Sequence, residues 1–397
     1  MINEKMRELG SKRSTIRELF EFGKALAEKR GEDSVFDFSL GNPSIPAPKE
    51  VGEILTELIS STDPAVLHGY TSAEGALSVR ESVARHIREC FGCEADATNV
   101  YMTVGAAAAL TSSLHAVVCP DEEVIVLSPY FPEYKVFIEA TGAKVKEVPC
   151  NTTDFHPSVP DIEAAINEKT AAIIINSPNN PTGAVYTEDD IKKIAELLER
   201  RCAELRKVIY IIADEPYREL VFDGRKVPFI PNYYRNTIVC YSYSKSLSLP
   251  GERIGYVFVS PKATESYSVF KAVCGAGRAL GYVCAPALLQ RLVERCQGMT
   301  SDLSAYRENR DILLSALTEY GYTVSPPEGA FYLFVKSPTK DALSFSEAAK
   351  RYGILLVPGE DFGMSGYVRL AYCQSRDVIM RSLPYFKALA SELGILK

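Results

Sequence analysis

Lys245 closes the run Tyr241-Ser242-Tyr243-Ser244-Lys245, and Arg253 follows in Pro250-Gly251-Glu252-Arg253-Ile254-Gly255. A lysine that has lost its proton attacks a carbonyl carbon and forms a Schiff base. A guanidinium nearby favours that neutral form, and an arginine close to a serine such as Ser242 suits a phosphate. Most lysines are solvated surface charges. The chemistry therefore rests on what other segments bring to this one.

Asp214 ends the apolar run Tyr210-Ile211-Ile212-Ala213. A carboxylate in such a place needs a partner to offset its desolvation, and a protonated pyridine nitrogen is one. Tyr217, three residues on, is placed to donate to a ring oxygen. A helix N-cap is the plain alternative for Asp214. Asn176-Ser177-Pro178-Asn179-Asn180-Pro181-Thr182-Gly183 follows a second apolar run and holds the Asn180 amide in a rigid turn. Gly105, Ala106 and Ala107 open a helical pattern with small residues, which lets a phosphate approach backbone N–H groups. Taken alone the signal is weak, since small residues at a helix start more often reflect simple close packing. Ser128-Pro129-Tyr130-Phe131-Pro132-Glu133-Tyr134 follows another strand-like run. It offers a ring that could stack on a flat cofactor, although by itself the segment reads better as a capped loop of core aromatics.

The elements that must position these residues alternate. Apolar runs at 124–127, 144–148, 171–176, 207–213, 237–241 and 254–259 predict strands, and helical spacing falls at 107–118, 134–140, 159–167 and 187–201. Ala172-Ile173-Ile174-Ile175 does not alternate, as expected of a strand buried on both faces. The fold class expected is α/β, with a three-layer αβα large domain on a mostly parallel mixed sheet and a smaller α+β domain. The boundaries expected are 1–45 for an N-terminal helix and closing segment, 46–285 for the large domain and 286–397 for the small one. One long helical stretch is expected over 286–320, then strands at 330–335, 354–357 and 367–372 and a terminal helix over 376–393. The chemical motifs then lie beyond the carboxyl ends of strands, where open α/β sheets bind ligands.

The chain has 397 residues and a formal net charge of -7, with no basic block. That balance argues against a nucleic-acid partner. No apolar run is long enough for a membrane span, and residues 1–30 are charged without an apolar core, so the expected compartment is the cytoplasm. Ten cysteines are scattered through the chain and read as buried free thiols. Cys90 and Cys93 form a lone Cys-x-x-Cys pair, read as one core and one loop thiol with no metal site.

Taken in order, these segments resemble those of the fold-type I aminotransferases of class I/II, the aspartate aminotransferase superfamily, over about 38–372. The Ser-Pro-Asn-Asn-Pro-Thr-Gly and Ser-x-x-Lys-(7)-Arg segments carry the resemblance most specifically. It implies pyridoxal 5'-phosphate as cofactor, with Lys245 as the Schiff-base lysine and proton shuttle. Asp214 would pair with the pyridinium nitrogen, and Asn180 and Tyr217 would donate to the ring hydroxyl oxygen. Phe131 would stack on the ring. Gly105, Ala106, Ala107, Ser242 and Arg253 would hold the phosphate. Tyr70, in His68-Gly69-Tyr70-Thr71, would reach the phosphate of a partner subunit, which implies a homodimer. Arg369 would clamp the substrate α-carboxylate, Gly41 would belong to the loop that closes over it, and Asn180 would also border the substrate.

Two departures stand out. The segment Val104-Gly105-Ala106-Ala107 lacks the hydroxyl residue that some members place there. Arg278 lies roughly where some relatives carry an arginine for a distal carboxylate, but its register is poor, and an interface salt bridge is the alternative. The reaction implied is transfer of an amino group from an aspartate-like or aromatic L-amino acid to a 2-oxo acid such as 2-oxoglutarate. A carbon–sulfur lyase on the same scaffold is the first alternative. A non-catalytic regulator is the second, and the residues before Phe38 are too few and too weakly basic for a DNA-binding module.

Overall fold

The computed structural model describes residues 2–11 and 15–396. Its centre is a seven-stranded sheet. Across it the strands run Val100–Thr103, Gly255–Val259, Thr237–Ser242, Tyr210–Asp214, Thr170–Asn176, Glu123–Ser128 and Lys144–Pro149. Gly255–Val259 is antiparallel to both neighbours, and the other pairings are parallel.

The missing alternation in the sequence has a direct cause. Ile173 and Ile175 enter one apolar cluster, whereas Ala172 and Ile174 enter another on the opposite face. The first cluster is closed by helices Lys49–Ser61, Leu77–Phe91 and Glu188–Leu205, the second by Ala106–Val117, Glu133–Ala140 and Ser266–Ala279. Both faces are therefore covered, and every residue of Thr170–Asn176 is buried. This is the covered parallel sheet expected from the sequence.

A four-stranded antiparallel sheet forms the smaller body, in the order Val357–Pro358, Tyr367–Ala371, Tyr332–Lys336, Thr323–Val324. Leu313, Leu317, Phe345, Ile379 and Phe386 from three helices fill its core. The N-terminal strand Phe36–Asp37 pairs in parallel with Ile354–Leu355, and Phe36 and Phe38 join the same core. The run expected as one strand over 354–357 thus serves two sheets, switching at Leu356.

The helical stretch expected over 286–320 is two helices, Ala287–Arg295 and Leu303–Glu319. Gly298 takes the left-handed φ of 77° between them, and the Asp302 carboxylate caps the second by accepting from Ser304 N at 3.0 Å. Leu289, Leu292 and Val293 of the first helix pack in the large sheet's cluster, although the boundary at 286 assigns them to the C-terminal segment. Helix Ser266–Ala279 has no counterpart among the expected elements.

Cys93 is buried, whereas Cys90 is an exposed residue of helix Leu77–Phe91 and not of a loop. Its Sγ lies 3.4 Å from Nδ1 of His86, one turn earlier. All ten cysteines are free. No helix among the described residues is long and apolar enough to cross a membrane.

Candidate active site

The parallel strands end at Ser128, Asn176, Asp214 and Ser242, all on one edge of the sheet. A cavity of about 300 Å³ opens at that edge. Lys245, Asp214, Tyr217, Asn180, Ser242, Arg253, Ala106, Ala107, Phe131, Gly41 and Arg369 all line it. Segments far apart in sequence therefore meet where strand geometry predicts a ligand.

Lys245 sits on a single helical turn, Tyr243–Ser246, directly after the strand ending at Ser242. The Ser242 hydroxyl caps that turn by accepting from Ser244 N at 3.2 Å and lies 2.7 Å from the Ser244 hydroxyl. Lys245 Nζ donates to Gly41 O at 2.6 Å and lies 5.2 Å from the centre of the Phe331 ring. No carboxylate among the described residues bonds to it. Burial lowers its pKa to about 8, Cys373 works against the shift, and the positive charges of Arg369 and Arg253 add to it.

Asp214 ends the strand Tyr210–Asp214 and is buried. Tyr134 Oη donates to its Oδ2 at 2.5 Å, while Oδ1 is buried with no hydrogen-bond partner among the described residues. Burial raises its pKa to about 7, the Tyr134 hydrogen bond opposes the rise, and the neighbouring Glu215 charge adds to it. Glu215 itself is held by a buried Arg218, 2.5 Å away. The N-cap alternative for Asp214 does not apply, since no helix among the described elements starts there.

Asn176 fastens two of these segments together. Its Nδ2 donates to Asp214 O at 2.9 Å, and its Oδ1 accepts from Asn180 N at 2.8 Å. The Asn180 side chain then accepts from Arg369 Nη1 at 3.0 Å. Arg369 Nη2 donates to Ser39 O at 2.5 Å, and its buried Nε has no hydrogen-bond partner among the described residues. The guanidinium lies 4.6 Å from the Tyr332 ring centre and 4.9 Å from that of Phe362. Tyr217 Oη meets Tyr332 Oη at 2.9 Å.

Two glycines are required by close approach. A Cβ on Gly41 would lie 2.2 Å from Tyr332 Oη. Gly105 has φ 84° and caps helix Ala106–Val117, and a Cβ there would lie 2.7 Å from Arg253 Nη2. Arg253 itself adopts a left-handed φ of 53° and donates from Nη1 to Pro250 O at 2.9 Å. The small residues at 105–107 are thus a cradle facing an arginine and a helix N-terminus, an anion-binding arrangement.

Tyr70 is 97% exposed and lies outside the cavity. Arg278, at the end of helix Ser266–Ala279, is exposed and also lies outside it. Sequence reasoning missed Tyr134, Asn176, Ser244 and Tyr332 as parts of the site. Asn176 and Ser244 stood inside the quoted motifs. Tyr134 stood in one as a core aromatic, and Tyr332 carried no signal beyond its strand.

The comparisons with known proteins agree with this geometry. Residues 33–382 match the family model "Aminotransferase class I and II". An aromatic-amino-acid aminotransferase of Thermococcus litoralis is 29% identical over 96% of both chains. An aspartate aminotransferase of Thermotoga maritima is 30% identical over 93% of this chain and 94% of its own. The crystal structure of an aminotransferase from Eubacterium rectale superposes with a TM-score of 0.97 at 51% identity, over 99% of each chain. That of Thermus thermophilus aspartate aminotransferase with maleate gives 0.86 at 27% identity, over 98% of this chain and 100% of the other. The chain belongs to the class I and II aminotransferases, the fold-type I enzymes of the aspartate aminotransferase superfamily, and acts on amino and oxo acids.

Proposed function

We propose that this chain holds pyridoxal 5'-phosphate and transfers an amino group from an aromatic or aspartate-like L-amino acid to a 2-oxo acid such as 2-oxoglutarate. One observation carries the cofactor reading. Among the described residues the buried Asp214 Oδ1 and the Arg369 Nε lack hydrogen-bond partners, and both side chains line the same cavity as a lysine of lowered pKa. A protonated ring nitrogen supplies the missing donor. The Gly105 to Ala107 cradle, Ser242 and Arg253 suit the phosphate, Phe131 suits a ring face, and Asn180 and Tyr217 suit the ring hydroxyl oxygen.

When bound, the cofactor supplies the electron sink for charge left on the substrate α-carbon. The chain supplies placement and proton transfer. Arg369 takes the α-carboxylate through its fork, which fixes the direction of the Cα–H bond. Lys245 Nζ, as a neutral amine, removes the α-proton and delivers it to the acceptor carbon. Asp214 keeps the ring nitrogen protonated. Gly41, bare of a side chain, lets its loop lie over the carboxylate.

The donor preference has its own support. Ile16, Leu110 and Tyr332 give the cavity an apolar wall. Among the described lining residues the cations are Lys245, Arg253 and Arg369, and each has a role already. That favours an aromatic donor over an acidic one. The names of the relatives, aromatic and aspartate aminotransferases, span the same two classes. A homodimer is part of the reading. Exposed Tyr70, Val66, Leu77 and Val283 are apolar surface of the kind that a second subunit covers.

The test is a donor panel of phenylalanine, tyrosine and aspartate against 2-oxoglutarate. Glutamate and the donor's 2-oxo acid should appear in equal amounts, fastest with an aromatic donor. Release of ammonia and pyruvate from cystathionine, with no glutamate formed from any donor, would replace this reading with a lyase.

A further inference from the structure

We propose that Tyr134 is the positioning residue for the Asp214 carboxylate: its hydroxyl occupies Oδ2 at 2.5 Å and so fixes Oδ1 as the oxygen presented to the cofactor ring. The inference rests on the cofactor reading above and assigns a role to a residue outside the cavity lining.

The geometry leaves the pair little freedom. Tyr134 is 2% exposed and Asp214 is 5% exposed. Tyr134 belongs to helix Glu133–Ala140, and its ring meets Phe131 edge-on at 5.6 Å and Tyr130 stacked at 6.5 Å. The segment that offers Phe131 to the ring face therefore also delivers the donor to the carboxylate. On the other side, Asn176 Nδ2 holds the Asp214 carbonyl at 2.9 Å. The carboxylate is thus tethered at its backbone and at one oxygen, and the second oxygen is left for the ligand.

The ionisable groups near the pair do not replace this donor. Glu215 is bound to Arg218, and the Cys240 thiol and the Tyr217 phenol have pKa values raised by burial, so both stay neutral. Burial and the Asp214 charge also push the Tyr134 phenol well above its usual range, so it keeps its proton and remains a donor. A hydrogen bond to the charged form of a carboxyl favours that form. With the Tyr134 donor in place, Asp214 stays ionised and the shared proton stays on the ring nitrogen. Without it, the proton moves toward Asp214. The ring then withdraws less charge, and the nitrogen of the Lys245–cofactor linkage becomes more basic.

Tyr134→Phe keeps the ring and removes only the hydroxyl. The absorbance titration of the Lys245–cofactor linkage should shift its midpoint upward by at least about 0.5 pH unit in this variant. kcat should fall about tenfold, the scale of a lost hydrogen bond to a charged group. KM for the amino donor should stay within about twofold, because Arg369 is untouched. 3-Fluorotyrosine at position 134, a more acidic donor of nearly the same size, should move the midpoint the other way and serves if the phenylalanine variant folds poorly. Coincident midpoints in wild type and these variants would overturn the Tyr134 assignment while leaving the cofactor reading intact. A wild-type protein that takes up no pyridoxal phosphate would sink both.

Discussion

Arg369 and Asn180, 189 residues apart, are joined by a hydrogen bond of 3.0 Å between Nη1 and Oδ1. One belongs to the small sheet and the other to the loop after a central strand of the large one. On the proposed function, the arginine that would take the substrate carboxylate is therefore aimed by the loop that would face the cofactor. Arg369→Lys keeps the charge and loses the planar fork. KM for the amino donor should rise about 10- to 100-fold in this variant, with the absorbance of the lysine-bound cofactor unchanged. Steady-state kinetics beside a spectrum checks both.

On the proposed function, Lys245 should control cofactor capture through its free-base fraction. With a pKa of about 8, the amine is mostly protonated at pH 7 and mostly neutral at pH 9. The neutral form attacks, so capture of pyridoxal phosphate by the apoprotein should quicken about tenfold over that range. Stopped-flow absorbance measures it, and a rate that falls with rising pH would contradict the assignment. Lys245→Ala should lose the band and lower turnover at least about a thousandfold.

Gly41 and Tyr332 make a steric pair. Gly41→Ala places a methyl 2.2 Å from the Tyr332 hydroxyl and should push the loop that accepts from Lys245 outward. The donor KM should rise about tenfold. Tyr332→Phe removes the closest atom but leaves ring carbons about 3.2 Å away, so the double variant should recover part of the loss and not all of it. A double-mutant cycle with no recovery would place the damage elsewhere.

The exposed Tyr70 gives the dimer proposal a sharp test. Neither Lys245→Ala nor Tyr70→Ala homodimers should carry an intact site. A mixture refolded together should regain about a quarter of wild-type activity, since half the dimers are hybrids with one whole site each. No recovery in a confirmed hybrid would show that Tyr70 serves its own subunit or none.

Much of this arrangement was legible in the sequence because it is local. Apolar runs mark the strands, and the turn chemistry after Asn176, Asp214 and Ser242 sits at their ends. What escaped is contact made only in three dimensions. The Tyr134–Asp214 and Tyr217–Tyr332 bonds span 80 and 115 residues and join hydroxyls whose rings read as ordinary core. The break at 296–302 escaped for a different reason. Ser301 N donates to Ser246 O at 2.7 Å, so a tertiary contact holds the link where spacing alone continued a helix. His86 was overlooked beside Cys90, although one helical turn brings them together.

The cradle carries a consequence for how this sequence can change. Gly105 and Arg253 compete for one volume, since Arg253 Nη2 stands 2.7 Å from where a side chain on Gly105 would begin. Position 105 cannot change alone, because a side chain there meets the guanidinium and also strains a backbone whose φ is 84°. A lineage that acquires a side chain at 105 must first reroute or surrender its arginine, and the intermediate step carries a weakened anion site. Position 105 is thus constrained by a residue 148 positions away in the chain.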